Sequence, residues 1–395
     1  MKAIFVYDHN YLKSDEGIIY SSGAFNSSSW ERYLEHFDQL TVIGHNVDFD
    51  QDLRRYNVVS HPKVSFRFFK PIKSLKSFVI NLFKNDKSLK ELVKSHDALI
   101  VRIYSEYAFQ AIRIAKMLDK PYAVELVGCP WDAYRAHQSF KAKLIAPYSY
   151  FRLRRAIWKC KFVLYVTDQF LQSRYPTKGR HIGASNVMLT EPSSDILTKR
   201  LDNIKKLELS NEPLNIGVIG KVDVKAKGIG ILIKALGQLN ISFKLHIVGP
   251  GNQDFLKPII KKYELEDSIL FHGKLMAGEQ INVFLDSIDL YVHPSMQEGL
   301  PRSVIEAMAR ACPVLASSIA GTPELLHQTY LHQPGNHNQL SEKINYIYRN
   351  LGNLSAMALE NFEKAKNYYP EKLNDKRKSF WGEFYEFSKA VSKNV

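Results

Sequence analysis

Over its first two hundred positions the chain sets short, β-rich apolar runs between amphipathic stretches of helical spacing. Strands are expected at Lys2–Tyr7, Leu40–Ile43, Val64–Phe68, Ala98–Arg102, Tyr122–Leu126 and Phe162–Val166, with helices at Ser28–Phe37, Ser105–Leu118 and Tyr148–Lys159. The remainder repeats the alternation. Its runs predict strands at Leu214–Ile219, Lys244–Val248, Ile269–Phe271, Leu290–His293 and Val314–Ala316, and helices at Ile229–Leu239, Phe255–Tyr263, Gly278–Leu285 and Pro301–Arg310. Such alternation is the pattern of α/β layering, with parallel sheets covered on both faces.

A chain of 395 residues exceeds what one hydrophobic core usually organises. Two doubly wound, Rossmann-like domains are therefore expected, over 1–197 and 214–370, joined by a charged, polar linker at 198–213 that ends in Asn211-Glu212-Pro213. After Tyr369-Pro370 the segment 371–395 places Phe380, Trp381, Phe384, Phe387 and Val391 at helical spacing. Proline ends the preceding helix and allows a change of direction, so this tail helix is expected to return to the first domain. Doubly wound sheets bind ligands at the C-terminal ends of their strands, which is where functional residues belong.

Charge adds a partner to this picture. Residues 1–200 carry 31 Lys and Arg against 19 Asp and Glu, a balance of +12 out of the chain's +14. One cluster runs from Lys63 to Lys94 and a second through Lys141, Lys143, Arg152, Arg154, Arg155, Lys159 and Lys161, both interleaved with aromatic residues. That pattern fits an anionic membrane surface. No recognised nucleic-acid motif accompanies it, so nucleic acid is not expected as a partner. The N-terminal apolar run is too short for a signal peptide, no run of about eighteen apolar residues occurs, and the three cysteines are scattered. A cytoplasmic protein, peripheral on the inner face of the cell membrane, is expected.

The densest chemistry lies in Pro294-Ser295-Met296-Gln297-Glu298-Gly299-Leu300-Pro301-Arg302-Ser303-Val304-Ile305-Glu306. Glu298 falls in a loop after a strand and Glu306 in the second turn of the helix that follows. Gly299 allows a sharp turn, Pro301 suits a first helical position, and the free N–H groups of a helix start can hold phosphate. Two carboxylates so placed can accept hydrogen bonds from hydroxyls at two ends of a long ligand. Upstream, Lys221, Lys225 and Lys227 follow another strand, where fixed cations would stabilise charge growing on a leaving diphosphate.

These segments, with Val248-Gly249-Pro250-Gly251, Phe271-His272-Gly273-Lys274-Leu275 and Gly321-Thr322-Pro323-Glu324, closely resemble glycosyltransferase family 4, the retaining group 1 glycosyltransferases. The resemblance covers about Leu214 to Leu326 and weakens over residues 1–200. It implies the GT-B fold, two Rossmann-like domains facing a central crevice, with a nucleotide diphosphate sugar as donor bound by the second domain and a saccharide acceptor bound by the first. It also implies roles. Glu298 lies near the transferred sugar, Lys221 and Lys227 contact the diphosphate, and Glu306 binds the ribose. Gly249, Leu275, Gly299, Leu300 and Pro301 line the donor site, together with Gly23 in a first-domain loop that lacks the family's doubled glycine. Lys221 stands where the family usually has arginine. Glu125 and Asp132, at a strand end where relatives carry histidine, are the candidates to orient the acceptor. No cofactor and no metal are expected; Asp48-Phe49-Asp50 is formally a D-x-D tripeptide, which GT-B enzymes do not use. The acceptor expected is a lipid-linked precursor of a surface polysaccharide, which the basic first half would bring to the membrane. The alternative is a sugar-nucleotide-binding or membrane-surface scaffold that has lost transfer.

Overall fold

The computed structural model describes residues 1–21, 25–47, 56–70, 87–103, 105–136, 140–190, 193, 195–210 and 212–393. They fall into two compact units, one of Met1–Pro130, Tyr148–Ala184 and Leu373–Val395, the other of Trp131–Pro147 and Ser185–Lys372.

The first unit is built on strands β1 (Lys2–Lys13), β2 (Ile19–Ser21), β3 (Gln39–Asn46), β4 (Asn57–Val58), β5 (Val64–Phe68), β6 (Ala98–Ile103), β7 (Tyr122–Leu126), β8 (Phe162–Tyr165) and β9 (Arg180–Gly183). The parallel strands run in the order β5-β3-β1-β6-β7-β8-β9. Ala3 to Val6 in β1 and Ala98 to Val101 in β6 are buried without interruption, as strands covered on both faces must be. β1 runs well past the expected Tyr7, because Tyr11–Lys13 pair antiparallel with Ile19–Ser21. The expected Ser28–Phe37 helix is shorter, a 3-10 turn Ser27–Trp30 leading into Glu31–Leu34. The C-terminal helix, Pro370–Lys393, packs on this unit: Trp381 meets Tyr33 at 5.1 Å and Phe384 meets Phe162 at 5.4 Å between ring centroids. Arg180 clamps Glu383 at 2.8 and 2.9 Å.

The second unit is a six-stranded parallel sheet of β10 (Leu214–Ile219), β11 (Phe243–Val248), β12 (Ile269–Gly273), β13 (Leu290–His293), β14 (Val314–Ser317) and β15 (Leu331–His332), ordered β12-β11-β10-β13-β14-β15. The stretch expected as a linker is different. Ile196–Leu209 is a helix whose Ile196, Ile204 and Leu207 are buried in the core of this unit beside Leu214, Ile216 and Met357. Its polar character belongs to one face only, where Asp202, Asn203, Lys205, Lys206 and Glu208 are exposed.

Strand order reverses at one point in each sheet. β1 lies between β3 and β6, and β10 between β11 and β13, so each sheet has a switch point between its first strand and the strand that starts the second half. Loops leaving the C-terminal ends of those strands diverge and leave room for a ligand.

Candidate active site

At the switch point of the second unit two loops lock together. The loop after β10 carries a 3-10 turn, Lys225–Lys227, and ends in Gly228 with φ +72°. A Cβ on Gly228 would come 2.0 Å from the Pro294 carbonyl oxygen, so only glycine lets this loop lie against the one that follows β13. Met296 N–H donates to the Ala226 carbonyl at 2.8 Å and the Ser295 hydroxyl to the same oxygen at 3.2 Å. Gly299 accepts from Gly321 N–H at 2.9 Å, which ties in the Gly321-Thr322-Pro323-Glu324 loop.

This clasp brings Lys227 onto Glu298. The Lys227 ammonium donates to Oε1 of Glu298 at 2.7 Å, and His293 Nε2, from the last residue of β13, meets the same oxygen at 3.1 Å. The Glu298 side chain is 13% exposed, that of Lys227 33% and that of His293 3%. Burial works against ionisation of Glu298, yet the hydrogen bond and charge of His293 and those of Lys227 outweigh it and hold the carboxyl down at about 2. The acid is therefore a fixed carboxylate. Both partners land on Oε1, and Lys227 has further N–H donors beyond the one given to Glu298. His293 was not singled out from the sequence, where a histidine closing a strand reads as core; its neighbourhood to Glu298 five residues on was the available signal.

Glu306 sits in the second turn of the Arg302–Ala309 helix, half-buried. Burial pushes its carboxyl above the usual carboxylate range, against the pull of Arg302. Pro301 is the N-cap of that helix, in extended conformation at φ −72° and ψ 111°, and not its first helical residue. Pro301 and Leu300 are buried, so they shape the helix start more than they offer surface. Lys221 is exposed and 3.9 Å from Asp223, and Lys225 is exposed on the same loop. Gly249 has φ +148°, and a Cβ there would come 1.9 Å from the Gly220 carbonyl oxygen, so the close packing of two strand-end turns by itself requires the glycine. Leu275 is half-buried just beyond β12, whose Gly273 carbonyl accepts from Gly249 N–H at 2.7 Å.

In the first unit the candidates divide. Gly23, Asp48 and Asp50 lie outside the described residues. Glu125 is a core residue, 1% exposed, and not a surface acid. Arg102 donates to its Oε2 at 2.7 Å and the Tyr33 hydroxyl to its Oε1 at 2.5 Å, so both oxygens are engaged. Burial raises the Glu125 carboxyl, and the charges of Arg102 and Arg32 with these hydrogen bonds reverse that and bring it below its ordinary value. Asp132, expected in the first domain, falls in the second unit, in the first turn of the Pro130–Ala136 helix and half-buried.

The switch point of this sheet instead gathers residues the sequence kept apart. Asp8, in the irregular stretch of β1 between Val6 and Asn10, faces His45 of β3 at 3.5 Å and accepts from the Glu106 N–H at 3.3 Å. Glu106, which follows the N-cap Ser105 after β6, takes Arg152 on both oxygens at 2.7 and 2.8 Å. The Asp8 side chain is 29% exposed, against 7% for His45 and 10% for Glu106. Burial lowers the His45 pKa, but the hydrogen bonds to Asp8 and the Phe69 carbonyl and the charge of Asp8 win, and the net direction is upward. Burial likewise pushes Glu106 up, opposed by Arg152. Among the described residues no group of three or more His, Cys, Asp or Glu could hold a metal ion.

Comparison with known proteins agrees with this architecture. A family profile described as "Glycosyl transferases group 1" matches residues 199–365. Protein CapJ of Staphylococcus aureus is 30% identical over the whole of both chains. The amylovoran biosynthesis glycosyltransferase AmsK of Erwinia amylovora is 34% identical over 31% of this chain and 32% of its own. Among solved structures, a sucrose-phosphate synthase of Thermosynechococcus elongatus superposes with a TM-score of 0.68 at 14% identity, covering 99% of each chain. HepE of Anabaena in complex with UDP does so with a TM-score of 0.63 at 18% identity, covering 95% of this chain and 98% of its own. With two Rossmann-like units, a C-terminal helix packed on the first, and the motif around Glu298 in its place at the second sheet's switch point, the chain belongs to the group 1 glycosyltransferases of glycosyltransferase family 4 and has the GT-B fold.

Proposed function

We propose that this glycosyltransferase moves a sugar, with retention, from a nucleoside diphosphate sugar to a lipid-linked saccharide precursor of a surface polysaccharide, without a metal. The observation that carries the reading is the clasp at the second switch point, which holds Glu298 ionised with Lys227 and His293 both on its Oε1. Glu298 Oε2 accepts hydrogen bonds from hydroxyls of the donor sugar, and Glu306, eight residues on, accepts from the ribose. Lys227 and the start of the Arg302–Ala309 helix face the diphosphate, with Lys221 at the rim. The bond from the sugar's anomeric carbon to the diphosphate breaks as the acceptor oxygen bonds to that carbon. Its electron pair stays on the diphosphate oxygen, which takes the acceptor's proton. Cations fixed before the reaction stabilise that charge without reorganising.

The acceptor hydroxyl is assigned to Asp8, the most exposed member of the first unit's switch-point cluster, with His45 and Glu106 fixing its carboxylate. Glu125, fully engaged in the core, drops out of that role. The donor class is supported by structural neighbours described with UDP and with UDP-glucose. The polysaccharide is supported by relatives named for amylovoran and colanic acid biosynthesis. The +12 balance over residues 1–200 supports a membrane-borne acceptor.

The test is a panel of nucleotide sugars incubated with the protein alone, in excess chelator, with release of free sugar followed over time. One donor hydrolysed slowly, with the anomeric configuration kept, supports the reading. No hydrolysis of any donor until a divalent ion is added would overturn the metal-free mechanism.

A further inference from the structure

A surface helix needs one apolar face, and the helix Phe140–Trp158 has two. Its inner face is spent on the core: Ala146, Ser149, Leu153 and Ile157 are fully buried. Its outer face carries Tyr148, Phe151 and Trp158 at 48%, 66% and 41% exposure, and the same spacing runs back to Leu144 and Phe140 at 64% and 73%. Polar residues would be expected there, because a solvated helix face gains nothing from large apolar side chains. The exposed positions beside them are Arg155, Lys159 and Lys161, and Lys178 lies over the Trp158 ring at 5.1 Å. Between Asp132 and Asp168 the sequence holds no acidic residue at all. Among the described residues of the other basic cluster, Phe66 and Phe68 pack on Tyr11 and Phe69 on Tyr107.

We propose that the outer face of the Tyr148–Lys161 stretch lies in the plane of an anionic bilayer, with Phe151 and Trp158 inserted at the acyl boundary and Arg155, Lys159 and Lys161 on the headgroup phosphates. Apolar body and cationic rim on one face are complementary to that surface and to no neutral one. No described helix is long and apolar enough to cross a membrane, so the helix lies in the interface. Arg152 and Arg154 take no part. Arg152 holds Glu106 and covers the Phe109 ring at 4.0 Å, and Arg154 donates to the Tyr150 hydroxyl and the Arg174 carbonyl. The inference rests on the reading of a membrane-borne acceptor and adds to it the element and the depth of contact.

The experiment is flotation of the full chain with phosphatidylglycerol-containing and pure phosphatidylcholine vesicles at low and high salt, without nucleotide sugar. It is paired with quenching of Trp fluorescence by brominated lipid, with W158F as the reference. The expected result is binding to the anionic vesicles alone, a fraction of it surviving high salt, quenching that W158F removes, and loss of about tenfold in partitioning for F151S/W158S. Binding that salt abolishes completely and F151S/W158S leaves unchanged would overturn insertion while keeping the charge-based reading. No binding at low salt would overturn both. Concentration-dependent self-association that F151S/W158S abolishes, without vesicle binding, would assign the face to a second copy and also overturn the proposal. Because no donor is present, failure here is separate from failure of the transfer reaction.

Discussion

In the proposed donor site Glu298 is the central residue, because Lys227 and His293 share one of its oxygens where burial alone would push its carboxyl up. The folded-state carboxyl is depressed to about 2, so the pairing is complete above the ordinary carboxylate range and is lost only as pH falls towards that value. Lys227→Ala leaves this buried charge with His293 alone and removes a cation from the departing diphosphate. Turnover should fall on the order of 10²-fold with a smaller change in donor affinity, as steady-state kinetics against nucleotide binding will show. A variant altered only in its Michaelis constant would place Lys227 outside the transition state. Glu306 is the reverse case, its carboxyl raised by burial. Ribose hydroxyls need the ionised form as acceptor, so nucleoside diphosphate affinity should weaken as pH falls through a value above the usual carboxylate range. Glu306→Gln should remove the part of that pH dependence that belongs to the protein, and Glu306→Ala should cost about 1.5–3 kcal/mol of binding by calorimetry. Unchanged affinity would take Glu306 out of the site.

At the scale of elements, β1, β6 and β7 hold the first unit together through residues that resemble catalytic ones in sequence. Glu125→Ala should lower stability by about 3–5 kcal/mol, since it strands the buried Arg102 charge among Phe5, Tyr7 and Phe25. Chemical denaturation measures this; full stability with a loss of transfer would return Glu125 to the acceptor. Asp8→Asn should do the opposite, leaving donor hydrolysis intact and lowering transfer to the acceptor. Such residues are hard to read from sequence because Asp8, His45 and Glu106 meet only when three strands line up, whereas Glu298 and Glu306 lie one loop and one helix turn apart. The same contrast runs through the elements. Val64–Phe68, Tyr122–Leu126, Leu214–Ile219 and Leu290–His293 have the expected bounds because each is rich in β-branched, aromatic or aliphatic residues, alternating with polar ones in Val64–Phe68. β9 and β15 are too short to show a period, and the Ile196–Leu209 helix shows mostly its solvent face.

Across the whole molecule, one architecture occurs twice, and each copy puts its polar cluster where its strand order reverses. The motifs of the second copy are local and were legible, which is why the family could be recognised from residues 214–326. The first copy keeps the fold with few local signatures, and its switch-point cluster is assembled from residues far apart in sequence. The chain's uneven charge belongs to this half, so nucleotide affinity should be insensitive to replacing its exposed basic residues, such as Arg155 and Lys159, by glutamine.

The central claim is that the Lys227–Glu298–His293 clasp is the donor site of a metal-free transferase. The most direct measurement is the rate of donor hydrolysis in excess chelator, for the wild type and for Glu298→Gln, with circular dichroism confirming that both are folded. The account predicts slow hydrolysis of one nucleotide sugar by the wild type and a loss on the order of 10²-fold or more in the variant. Equal rates in the two proteins would contradict it.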